Sequence, residues 1–107
     1  MSTKLSRKQF VARYQGRSLA WVRAEMLHET GPRFGSAYEM AQAYKGSLVA
    51  EPRRGMVCFF GDRAPGDIGY YLGSGMVRML SPDAREITMP LRLVKQPFIG
   101  AMDWPSS

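Results

Sequence analysis

The chain offers few side chains able to act as nucleophile, base or metal ligand. Its only cysteine is Cys58 and its only histidine is His28. Cys58 lies inside the apolar run Met56-Val57-Cys58-Phe59-Phe60, which predicts a buried structural thiol, because a reactive thiolate needs exposure and an electropositive neighbourhood. One cysteine excludes an internal disulfide, and one cysteine with one histidine cannot build a zinc site of the usual kind. No metal and no small-molecule cofactor is therefore expected. Asp62 and Asp67 are acids that could flank a sugar bond, but two loop aspartates at this spacing are common and nothing else in the sequence supports that chemistry. Trp21, Tyr70, Tyr71 and Trp104 could line a sugar-binding or base-stacking groove. In a chain this small, large aromatics mostly build the core, and Tyr71 is the best surface candidate among them.

The other chemistry is electrostatic. Lys4, Arg7, Lys8, Arg13, Arg17 and Arg23 place six positive charges and no negative one in the first 23 residues, whereas the remainder balances nine basic against nine acidic side chains. The whole net charge of +6 thus sits at one end. Such a run serves either as a solvated helix face or as a contact for a phosphate backbone, an anionic wall polymer or an acidic partner surface. The binding residues expected on this ground are Lys4, Arg7, Lys8, Arg13 and Arg17, with Tyr71 added from the aromatics.

Helices come first among the elements that must position these groups. Ser6-Arg7-Lys8-Gln9 has the form of a capping box and opens a helix with Phe10, Val11 and Tyr14 on one face, which Gly16 can stop. Ser18 is a good N-cap for a second helix, with Leu19, Val22 and Met26 at helical spacing and Gly31-Pro32 as its end. Ser36-Ala37-Tyr38-Glu39 repeats the capping box for a third, short helix ending at Gly46. Strands follow Pro52. Met56–Phe60 reads as a strand buried on both faces, and Asp67–Leu72 alternates, with Ile68, Tyr70 and Leu72 on the core face. Asp67, Gly69 and Tyr71 fall on the other face, where Gly69 would let the Ser18 helix approach closely. Gly73-Ser74 suits a tight turn into Met76–Leu80, and Ser81-Pro82-Asp83 is a turn by composition. Ile87–Met89 adds a strand, Leu91–Lys95 a helical turn, and Phe98–Trp104 a last strand.

In order and spacing these segments resemble the NlpC-type and CHAP-type cell-wall peptidases, papain-like cysteine hydrolases. The family's Pro-Gly-apolar strand is matched by PRRGMVCFF, and its next strand, opening Gly-His-Val-Gly and ending in a Gly-x-Gly hairpin, by GDIGYYLGSG. GRSLAWVR resembles the opening of the catalytic helix, and FIGAMDW the closing strand. The resemblance implies an α+β fold: N-terminal helices followed by a small, antiparallel, barrel-like sheet of about five strands. It also places Ser18 and Asp67 where the catalytic cysteine and histidine would stand. A papain-like site needs a thiolate activated by imidazole, and neither residue is at its place. Serine in the same position needs an adjacent base, for which a carboxylate is a poor substitute. His28 lies ten residues on, which in one helix is about 15 Å away. It is expected as an exposed residue near a helix C-terminus. Asp67 is expected to ion-pair with Arg17 or to accept a hydrogen bond from Ser18.

A single domain over residues 1–107 is expected, with a basic helical part at 1–46 and a sheet part at 52–104. There is no secretory signal and no apolar stretch near the roughly 20 residues of a membrane span, so synthesis in a cytoplasm and a soluble product without a membrane partner are expected. The function the resemblance implies is a non-catalytic binding or structural module, a bacteriophage virion accessory protein such as a capsid decoration or tail component. Its partners would be other virion subunits. The alternatives are a peptidoglycan hydrolase with residual activity through Ser18 or another site, and a small nucleic-acid-binding protein acting through the basic first helices.

Overall fold

The computed structural model describes residues 4–29 and 33–105. The first helix, α1, runs Arg7–Tyr14 behind the capping box of Ser6 and Gln9, and Gly16 reverses the chain at φ 72°. Tyr14 is buried, while Phe10 and Val11 pack half-buried on the same core. The second helix, α2, is Ser18–Trp21 and passes directly into a π-helical turn, Val22–Met26. Its N-cap position is taken by Arg17, not Ser18. The stop expected at Gly31-Pro32 lies outside the described residues. The third helix, α3, is Ala37–Ala43. Its capping box is half formed: the Ser36 hydroxyl accepts from Glu39 N–H at 3.2 Å, but the Glu39 carboxylate reaches past Ser36 to Gly35 N–H at 2.8 Å.

The strands are β1 Val57–Phe60, β2 Asp67–Gly73, β3 Met76–Leu80, β4 Glu86–Pro90 and β5 Phe98–Met102, all antiparallel, in the order β4-β3-β2-β1-β5. The sheet is open, not closed into the expected barrel, since β4 and β5 do not pair and stand as its two edges. The three helices nevertheless precede the five strands in an α+β arrangement. The hairpin turn falls one residue later than its composition predicts. Ser74 and Gly75 lie between the paired Gly73 and Met76, both at positive φ, as a two-residue turn demands.

Alternation along the strands explains the layering. Val57, Phe59, Ile68, Leu80 and Met102 share a core with Leu19, Trp21, Val22, Met40 and Ala41 from the helices. Met56, Cys58, Phe60, Val77, Met79 and Ala101 form a second cluster on the opposite face, where Met89, Leu91, Val94 and Phe98 pack on it. Both faces of β1 are thus covered, which is why its sequence is apolar without alternation. On β2 the expectation holds for Ile68, which is fully buried, but Tyr70 and Leu72 are only half-buried because they lie toward the hairpin end of the strand. The last strand ends at Met102, two residues before the expected Trp104.

Candidate functional site

Ser18 and Asp67 meet where the first turn of α2 packs against the start of β2. On the α2 side the anchor is Trp21, fully buried, whose indole N–H donates to Glu86 Oε2 at 2.9 Å. Glu86 in turn lies 3.7 Å from the Arg78 guanidinium, and a second Arg78 nitrogen donates to the Thr88 hydroxyl at 2.9 Å. Apolar burial and this polar tie fix α2 on β3 and β4. On the β2 side the loop after Phe60 is held by Tyr38 N–H of α3, which donates to Pro65 O at 3.0 Å. Gly66 is required there: at φ 66°, an added Cβ would lie 3.1 Å from both Phe60 O and Tyr38 N.

Because Ser18 is the first residue of α2 and not its cap, its hydroxyl is free to act outside the helix. It faces the Asp67 carboxylate across the smaller cleft, and Asp67 Oδ1 accepts from Ile68 N–H at 2.9 Å. Burial pushes the Asp67 pKa above the usual carboxylate range, while the bonds from Ser18 and Ile68 pull it down; burial prevails. Two adjoining clefts, of about 230 and 130 Å³, flank the pair and share Gly16, Arg17, Ser18, Pro65 and Gly66. Arg23, Phe34 and Ser36 complete the wall of the larger one, and Asp67 lines the smaller. Among the described residues no ion pair joins Arg17 to Asp67; Arg17 is exposed at the cleft mouth.

This arrangement orients a serine hydroxyl toward a carboxylate, but it supplies no imidazole to take and return a proton. His28 is exposed beyond the end of the α2 and π-helical segment. The Cys58 thiol is fully buried and pushed up to about 12 by desolvation. Among the described residues no group of three or more His, Cys, Asp or Glu side chains is placed to hold a metal ion, and no helix is long and apolar enough to cross a membrane. Asp62 pairs with its neighbour Arg63 at 3.5 Å on the exposed loop and does not enter the clefts around Asp67.

The remaining expected site residues are dispersed. Tyr71 does not join Asp67: its hydroxyl accepts from Gly75 N–H at 2.7 Å, and it lines a different groove with Pro52, Met76, Pro90 and Arg92 at the hairpin end of the sheet. Gly69 makes no room for the Ser18 helix, since the space beside it is filled by Val77 and Met79 of β3. Arg7 is committed to structure, its guanidinium donating to the carbonyls of Asp83 and Ala84. Arg13 sits against Tyr14, whose hydroxyl donates to Glu25 Oε2 at 2.8 Å. Lys4 and Lys8 are exposed. Sequence reasoning missed Arg23, Phe34 and Ser36 as cleft residues. In the sequence Arg23 reads only as one cation of the basic run and Ser36 only as a helix cap. Comparison of the chain with protein-family models and with curated proteins finds no match.

Proposed function

We propose that this chain is a non-catalytic binding or structural module of the papain-like cell-wall-peptidase type, serving as an accessory protein of a phage particle, in its capsid or tail. The observation that carries the reading is the placement of Ser18 beside Asp67 at the junction of a helix start and a strand start. In the peptidases that the sequence resembles, a cysteine and a histidine occupy that junction. The substitution converts a proton-shuttling pair into a static polar tie. A hydroxyl remains protonated beside a carboxylate, whereas a thiol beside an imidazole ionises. The clefts on either side persist as a recess into which a segment of a partner protein can fit. The step to a phage particle rests on the resemblance and on the excess of basic residues in the first 23 positions.

Two measurements test this. Incubated with purified peptidoglycan, the native protein releases no soluble fragments above the level of Ser18→Ala, and the chain occurs at a fixed copy number in purified particles. Robust hydrolysis abolished by Ser18→Ala overturns the non-catalytic reading in favour of the hydrolase. Absence from particles overturns the accessory role.

A further inference from the structure

We propose that α1 and the bend after it form a docking surface for a phosphodiester backbone, a nucleic acid held through Lys4, Lys8 and Arg17. Arg17 also lines the clefts beside Ser18, so this surface adjoins that site, but its test reads salt dependence and not hydrolysis or particle content. It starts from how the structure sorts the basic residues of the first helices. Arg7 spends its donors on the carbonyls of Asp83 and Ala84, and Arg13 sits against Tyr14, whose hydroxyl donates to the Glu25 carboxylate. Lys4, Lys8 and Arg17 are exposed and meet no carboxylate among the described residues, where the ion pairs all fall between Asp62 and Glu86.

Helix stability does not account for these charges. The first turn of α1 contains no acid and carries Arg7 and Lys8 at the positive end of the helix dipole, the end that favours anions. Arg7 is compensated by two carbonyls; Lys8 is not. An anion from outside the chain would remove the mismatch.

The composition between the cations separates a phosphate backbone from an acidic protein. Protein interfaces are anchored by buried aromatic or large apolar side chains. Here Phe10, Val11 and Tyr14 turn into the core, and the exposed residues among the cations are Ser6, Gln9, Ala12, Gln15 and Gly16. A surface of cations and short polar groups with no apolar anchor suits phosphate oxygens, which such groups contact whatever the sequence. The helix that carries Lys8 is about 12 Å long, with Lys4 before it and Arg17 after it in the chain, and a duplex offers one charge per roughly 1.7 Å of axis along that span.

The test is fluorescence anisotropy with a labelled random-sequence duplex and the full chain, titrated from about 50 to 200 mM salt. Three phosphate contacts predict a log–log salt slope of about −2.7, which is about a 40-fold loss of affinity over that range, equal for unrelated sequences. Lys4→Ala/Lys8→Ala/Arg17→Ala brings the slope close to zero, and Lys8→Ala or Arg17→Ala alone lowers it by about 0.9. Arg53→Ala/Arg92→Ala/Lys95→Ala, which removes the same charge from the sheet half, leaves the slope unchanged. No binding at the lowest salt, an unchanged slope in the first variants, or an equal loss in the control set overturns the proposal. Polyglutamate competing as well as duplex at equal charge also overturns it and assigns the surface to an acidic protein.

Discussion

Replacing Gly69 by alanine tests how β2 is seated, and β2 is the strand that carries Asp67. A Cβ at Gly69 would lie 2.3 Å from Met79 Sδ, 2.7 Å from Val77 Cγ2 and 2.9 Å from Arg78 O, all well inside van der Waals contact. The Met79 thioether can rotate away. Val77 is fully buried and β-branched, with little rotamer freedom, and the Arg78 carbonyl belongs to backbone paired with Tyr70. The strain therefore falls on the β2 and β3 pairing. Overpacking a filled core costs about 1–3 kcal/mol, and the smaller unfolded-state entropy of alanine returns only about 0.4–1 kcal/mol. A net loss of about 1–2 kcal/mol follows, seen as a fall in Tm of roughly 5–15 °C by circular dichroism. If the clash is the cause, a Gly69→Ala and Met79→Ala cycle shows favourable coupling of at least about 0.5 kcal/mol, because the second change vacates the contested volume. An unchanged Tm, or strictly additive losses, would refute the assignment of Gly69 to the β3 side of the strand.

Two further outcomes follow from the titrating groups. Native Cys58 is expected to resist thiol reagents at neutral pH, because it is buried and pushed up to about 12; labelling with Ellman's reagent as fast as in urea would contradict the placement of β1. Asp67 has its folded pKa raised by burial, so its contribution to stability is fully present below the unfolded value and is lost as pH rises through the folded one. Asp67→Asn, which keeps an acceptor for Ser18 and Ile68, should match the native protein near pH 3 and exceed it near pH 7 in urea midpoint. A deficit of Asp67→Asn at neutral pH would mean that the charge itself stabilises the junction.

How much was legible depended on whether the cause was local. The Ser6 capping box and the turn at Ser81 are set by neighbours within a few residues, the strand around Cys58 shows its two covered faces in its own unbroken apolar run, and all three stand where the pattern puts them. Closure of the sheet is not local. Antiparallel hairpins read the same in an open sheet and a barrel, and only the failure of β4 and β5 to meet decides between them. The burial of Ile68 against the half-exposure of Tyr70 and Leu72 is another long-range effect, since period-two alternation says which face a residue takes but not how far the covering helices extend.

The site shows the same division at the level of single side chains. Serine before a helical run reads as an N-cap, and one residue of difference in where α2 starts turns Ser18 from a cap into the partner of Asp67. No rule based on neighbouring residues can make that distinction, because a one-residue shift in helix start changes no residue type. Arg7 and Lys8 are adjacent, carry the same charge and stand in the same first turn. Only the fold separates them, by bringing the carbonyls of Asp83 and Ala84 to Arg7 from the far end of β3 and leaving Lys8 in solvent. A count of charge along the sequence therefore overstates the cations available to a partner. Of the five basic residues singled out on composition, Arg7 is bound to the sheet and Arg13 sits against Tyr14, so an electrostatic contact made by this end of the chain falls chiefly to Lys4, Lys8 and Arg17.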